Sequence, residues 1–283
     1  MLRAVFVGFD NDLNRVFAHW LAQKTDLAGC VWIPSTTQWL TSRKGKLEFL
    51  RGRLKKNGVL RTLDEALFFL LYHSNEKTNS NTRAASKLVK AYWDKADFNG
   101  WGPFFPTRKI NDEKVIRYVE SLRPDIIISH CIHQYFGKRL RSIPRLGAYL
   151  LHIGILPEYR GLYSPFWTMH NGDFDNFGYS LFRLNGDLDA GDSYVQGRLT
   201  NVDIAHDNHA LIEYKAVFAS LPGIERFLTD LENGTARPIE RPNAVPGYYS
   251  YPGLTDYIRQ RIRVARALRD RQRSAREVRA ESS

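Results

Sequence analysis

Imidazole and carboxylate side chains are the groups that move protons near neutral pH, and two segments of the 283-residue chain concentrate them. The first is His152-Ile153-Gly154-Ile155-Leu156-Pro157-Glu158-Tyr159-Arg160-Gly161, entered from the apolar run 147–151. The second, Asn185-Gly186-Asp187-Leu188-Asp189-Ala190-Gly191-Asp192, is a glycine-punctuated loop with three carboxylates. Taken singly, each has an ordinary reading. A histidine at a strand end is often simply hydrogen-bonded there, and aspartates in turns usually cap their own backbone. A polar residue at the carboxyl end of a strand in an open α/β sheet nevertheless sits where such folds place ligands. No metal is indicated: His130 and His133 are closely spaced, but no third ligand stands nearby in sequence. Cys30 and Cys131 lie in apolar runs and read as buried thiols.

Positioning these residues requires a scaffold, and the chain supplies alternating signals for one. Residues 2–9 (LRAVFVGF) form a buried strand, 14–23 a helix and 29–33 (GCVWI) a second strand stopped by Pro34. Strand, helix and strand in succession read as a βαβ unit and a parallel sheet. The lone Gly8 gives no dinucleotide fingerprint. Residues 35–97 are helical but irregular, with a polar break at 74–82. Further strands are predicted at 126–128, 147–152, 179–184 and 193–199, and helices at 111–122, 134–142, 206–220 and 224–233. The fold class is therefore α/β, a Rossmann-like open, mostly parallel sheet flanked by helices, with a short helical C-terminal extension. The expected division is a domain over 1–204, carrying a helical insertion at 35–100, and an extension over 205–283 with a basic tail.

The net charge of +11 is concentrated. Residues 41–62 carry eight Lys and Arg against Glu48 alone, and 259–279 carry nine arginines against Asp270 and Glu277. Either segment could meet an anionic partner or be a solvated helix face. Leu254, Ile258, Ile262, Ala265 and Leu268 fall at helical spacing, which predicts an amphipathic helix docked along its first half and frayed over its last ten residues. No apolar run reaches the roughly 18 residues a membrane span needs, and the N-terminus lacks a leader pattern. The expected location is cytoplasmic.

Together, HIGILPEYRG and LDAGD resemble the signature of the 10-formyltetrahydrofolate-dependent formyltransferases, a family that includes methionyl-tRNA formyltransferase, glycinamide ribonucleotide transformylase and the sugar N-formyltransferases. The flanks NDEKVIRYVESLRPDIIISH, PRLGAYLLH and SPFWTMHNGD extend the resemblance over roughly residues 105–200. It implies formyl transfer from 10-formyltetrahydrofolate, as cosubstrate, to an amine. By the family pattern His152 shares the proton of the attacking amine, and Asp189 orients it or relays the proton through water. Tyr159, Arg160 and Gly161 would line the acceptor side. Ser129, His130, Cys131, Ile132, Leu156, Asp187 and Leu188 would border the folate pocket. One position departs from the pattern. The family has an asparagine two residues before the histidine, on the same strand face, and this chain has Leu150. Losing an oxyanion donor typically costs about 10²- to 10³-fold in rate. Gln134, His133 or His130 could supply a replacement, the histidine and aspartate could suffice, or the fold could serve another purpose.

The acceptor class that fits the length, the local positive charge and the tyrosine turn 247–252 (GYYSYP) is a phosphorylated or nucleotide-linked amino sugar. That turn reads either as a stacking surface or as packing on the body. Aminoacyl-tRNA fits less well, because two helices, a turn and an arginine helix do not read as the additional barrel of the tRNA enzymes. An amino-acid-derived amine, a repurposed binding protein and an RNA-binding protein are the alternatives.

Overall fold

The computed structural model describes residues 1–34, 43–76, 80–96, 103–132, 134–187 and 189–281. The strands are β1 (Arg3–Phe9), β2 (Asp26–Ile33), β3 (Phe104–Pro106), β4 (Ile126–His130), β5 (Gly147–His152), β6 (Arg160–Gly161), β7 (Gly178–Arg183), β8 (Ser193–Arg198) and β9 (Tyr248–Tyr249). The helices are α1 (Asp12–Lys24), α2 (Arg43–Glu76), α3 (Ser80–Trp93), α4 (Glu113–Leu122), α5 (Lys138–Arg141), α6 (Ser164–Asn171), α7 (His209–Glu232) and α8 (Leu254–Glu281). A seven-stranded sheet runs β3-β2-β1-β4-β5-β7-β8, and β6 pairs with β9 in a separate ribbon. Strands β3 to β5 are mutually parallel, whereas β7 lies antiparallel to both β5 and β8.

Alternation along the central strands feeds two cores. Phe6, Cys30, Ile128 and Leu151 face one side, where α7 adds Ile212, Ala216, Ile224 and Phe227. Val5, Val7, Val31, Ile127 and Ala148 face the other with Val115 and Val119 of α4. Burial on both faces explains the unbroken apolar runs. The chain leaves β1 toward β2 and β3 on one side and returns to β4 on the other. The β1/β4 junction, where Gly8 pairs with His130, is thus the point where the strand order reverses.

Several expectations are corrected. The helix expected at 134–142 shortens to α5, because the Gln134 side chain accepts from the Ile110 N–H and donates to the Arg108 carbonyl, holding its segment in an extended bridge. The two helices expected around Pro222 are one, α7, whose apolar face is buried on both sides of that residue. Helix α7, within the region expected as an extension, packs in the same core as β1 and β4. Helix α8 extends to Glu281, and its docked face is rotated from the predicted one. Asp256, Gln260 and Val264 are buried while Ile258 and Ile262 are exposed. Gly58, with φ of 76°, divides α2 into two helical segments. Across that break Arg53 and Glu65 form a buried bidentate pair, Asn57 Nδ2 donates to the same carboxylate at 2.9 Å, and the Arg53 guanidinium lies 4.9 Å from the Tyr251 ring centre. Part of the first basic segment is therefore committed internally. Among the described residues no helix is long and apolar enough to cross a membrane.

Candidate active site

His152 ends β5 and is 8% exposed. Its Nε2 lies 2.6 Å from the Tyr159 carbonyl oxygen and 3.1 Å from Ser164 Oγ, and the Ser164 hydroxyl itself donates to that carbonyl at 3.0 Å. A carbonyl can only accept, so Nε2 carries the proton and, in the neutral ring, Nδ1 carries the lone pair. The loop that wraps the imidazole depends on Gly154. A Cβ there would stand 2.9 Å from each of His152 Nε2, Ser164 Cβ and the Tyr159 carbonyl oxygen.

Asp189 reaches out of its own loop. Its Oδ2 accepts from the Gly161 N–H at 2.9 Å, which joins the acidic loop to the far end of the histidine loop. Gly161 is required on two grounds. Its φ is 94°, and a Cβ would fall 2.1 Å from the Tyr249 carbonyl oxygen in the neighbouring β9. Asp187 stays exposed, its N–H held by Asn185 Oδ1 at 2.8 Å. Leu188 and His133 lie outside the described residues.

At the end of β4, Ser129 is fully buried and its hydroxyl finds no partner among the described residues. It pairs in register with Leu150, so the two side chains share a face. Leu150 packs on Leu156 and Phe182, while the Leu156 carbonyl accepts from Gln196 Nε2 and Arg241 Nη1, each at 2.9 Å. Ile132 packs against the α4-side core. His130, 1% exposed, places Nδ1 2.5 Å from Asn14 Oδ1, and Asn14 Nδ2 donates to the Phe9 carbonyl at 2.9 Å. The amide orientation is thereby set, so Nδ1 must be the donor and Nε2 holds a lone pair. Burial pushes this imidazole down to about 3, and His152 adds to the effect. Burial likewise pushes the Cys131 thiol well up, reinforced by the carboxylates of Glu213 and Asp189. His152 thus lies near enough to influence His130, and Glu213 and Asp189 near enough to influence Cys131.

The Tyr159 side chain is committed to the body of the protein. The ring is buried, stacks on Tyr249 at 5.4 Å and donates from its hydroxyl to Asp173 at 2.8 Å, so only its carbonyl reaches His152. Arg160, half-buried, has a buried Nε without a partner among the described residues. Of the replacement donors, Gln134 is engaged at both ends of its amide and neutral His130 offers no free N–H toward the cleft. Sequence reasoning missed Asn14, Ser164 and Glu213. Glu213 sits in α7, 82 residues beyond Cys131, and no spacing could have connected them. A broad open recess of about 880 Å³ lies elsewhere, lined by residues including Arg123, Asp125, Lys138 and Arg145 around the amino end of β4. It gathers none of these groups.

His130 and His152 end two central strands of an open α/β sheet, where such folds place ligands. Residues 61–216, more than half of the chain, match the family described as Formyl transferase, and the chain belongs to that family. It is similar to a methionyl-tRNA formyltransferase of Thermotoga maritima, 28% identical over 166 residues, covering 59% of this chain and 51% of the relative. It is also similar to the bifunctional polymyxin resistance protein ArnA of Wigglesworthia glossinidia brevipalpis, 27% identical over 184 residues, covering 64% of this chain and 28% of the relative. The chain thus spans about half or less of the length of these curated relatives. Its fold resembles a sugar N-formyltransferase from Shewanella sp FDAARGOS_354, with TM-score 0.52, 13% identity and coverage of 93% of this chain and 87% of the other. It also resembles a phosphoribosylglycinamide formyltransferase from Anaplasma phagocytophilum, with TM-score 0.52, 10% identity and coverage of 89% and 96%.

Proposed function

We propose that the protein transfers a formyl group from 10-formyltetrahydrofolate to a primary amine on a phosphorylated or nucleotide-linked amino sugar. The observation that carries this reading is the fixed tautomer of His152, whose Nε2–H is committed to the Tyr159 carbonyl and whose Nδ1 is left to accept a proton. The folate, when bound, supplies a one-carbon group on a nitrogen that can leave. His152 Nδ1 takes the proton of the attacking amine as the new C–N bond forms, and returns it as the bond to the folate nitrogen breaks. Asp189 holds Gly161, and with it the histidine loop, in place. Ser129 is the donor we assign to the developing oxyanion, since its hydroxyl is buried, unpartnered and in register with Leu150. Orphaned polar atoms on Ser129 and Arg160 are what a site awaiting a polar ligand should contain. The free Arg160 Nε favours an acceptor with a phosphate or carboxylate.

The test is tetrahydrofolate release from 10-formyltetrahydrofolate across a panel of amines. Amine-dependent release is expected, falling about 10²- to 10⁴-fold in His152→Ala and about 10²- to 10³-fold in Ser129→Ala. Release that ignores both the amine and His152 would overturn the reading. A second reading, a formyltransferase fold kept for binding, is favoured by the apolar packing of Leu150. It predicts folate binding by calorimetry with no turnover for any amine.

A further inference from the structure

We propose that His130, Cys131 and Glu213 form a binding site for one divalent transition-metal ion of the zinc type. This goes beyond the formyl-transfer reading and does not depend on it. The three residues each present a ligand atom, and these atoms lie within 4.8 Å of one another. Glu213 Oε1 stands 3.0 Å from Cys131 Sγ and 3.9 Å from His130 Nε2. Bonds of about 2.0–2.3 Å in a tetrahedron hold ligand atoms roughly 3.3–3.8 Å apart. The two separations to Glu213 lie within about 0.3 Å of that range, and the cysteine–histidine one, within 4.8 Å, must shorten by up to about 1 Å for the cluster to close on an ion.

A second observation points to a ligand independently of the clustering. His130 Nε2 is buried and has no partner among the described residues. The Asn14 amide, oriented by the Phe9 carbonyl, leaves that nitrogen with a lone pair and no proton. The thiol of Cys131 can be satisfied without an ion by donating to Glu213, but that arrangement still strands the imidazole. An ion would answer both, taking the lone pair and displacing the thiol proton. Asn14 would then fill the role of the carbonyl that commonly fixes the tautomer of a ligating histidine.

The donor set selects the ion. One nitrogen, one sulfur and one carboxylate suit zinc or cobalt, whereas magnesium and calcium require oxygen cages. Three protein ligands leave a fourth position open, as in reactive rather than purely structural zinc sites. The location agrees with this, since His130 lies at the β1/β4 reversal point beside Gly8. The Glu213 side chain is 30% exposed, which gives an ion a way in.

The experiment uses the full chain, stripped with a chelator and titrated with cobalt(II) in the absence of folate and amine. One cobalt per chain is expected, with a thiolate-to-cobalt charge-transfer band and the visible bands of four-coordinate cobalt, all displaced by zinc. Cys131→Ser should abolish the charge-transfer band. Glu213→Gln, at a partly exposed position, should weaken binding by more than about 100-fold, the upper end for loss of an outer partner alone. Circular dichroism establishes that each variant is folded. No thiolate band in the unaltered protein at saturating cobalt would overturn the proposal. So would an isotherm that both folded variants leave unchanged, which would assign the metal to another surface.

Discussion

Two glycines set how closely the backbone can approach His152 and the loop that wraps it. Gly154→Ala would place a methyl against His152 Nε2 and the carbonyl it donates to, so it should cost about 1–3 kcal/mol of stability. Turnover should fall further than this stability loss explains, measured as kcat beside the thermal midpoint. Gly161→Ala meets both a positive φ and the Tyr249 carbonyl, and should destabilise by at least about 2 kcal/mol in urea melts. At this scale the sequence carried the family resemblance around His152 and Asp189, which the family match over residues 61–216 bears out. It was uninformative about partners. That Asp189 would reach Gly161 rather than its own turn, that Tyr159 would turn its ring inward and that Glu213 would face Cys131 all depend on contacts between distant segments.

Secondary-structure elements were legible where burial was two-sided or strictly periodic. Strands β1, β2, β4 and β5 are unbroken apolar runs, and α4 has a clean amphipathic repeat. Legibility failed where side chains override periodicity. Gln134 replaces a helical turn with its own hydrogen bonds, and α8 buries Asp256 and Gln260 because they have partners waiting in Gly253, Arg61 and Phe166. The Arg53–Glu65 pair bridging the break in α2 gives a sharp prediction. Glu65→Ala leaves a guanidinium buried without its carboxylate and should cost about 3–5 kcal/mol in chemical denaturation, more than Glu65→Gln. At the other end of the sheet Asp125 ties β1 to the start of β5. Its carboxylate accepts from the Arg3 N–H and from Arg145, which hold its carboxyl below the usual range. A depressed folded-state value means stability present above the unfolded value of about 3.9 and lost as pH falls through the lower folded one. Asp125→Asn should therefore melt a few degrees below the unaltered protein at pH 7, and the gap should close in the acid range below about pH 4.

Across the whole molecule, the basic excess turns out to be divided between structure and solvent. Arg53 and Arg61 are paired inside, and Arg263 donates to the His170 carbonyl, whereas Lys55, Lys56 and most arginines late in α8 stay exposed. Removing residues 272–283 should shift the isoelectric point while leaving the thermal midpoint within about 2 °C, because the α8 side chains that pack on the body, Asp256, Gln260 and Val264, lie before the cut. The short ribbon of β6 and β9 has the opposite character. Tyr248 and Tyr249 lie against Arg160 and Gly161, Tyr249 stacks on Tyr159 and Trp167, and Trp167 Nε1 donates to the Ser250 carbonyl. The stretch just ahead of this ribbon is accessible, with Val245 77% exposed. A single protease nick there would untether a rung that braces the histidine loop from behind, so the proposed activity should be lost from the tail while His152 and Asp189 remained chemically intact.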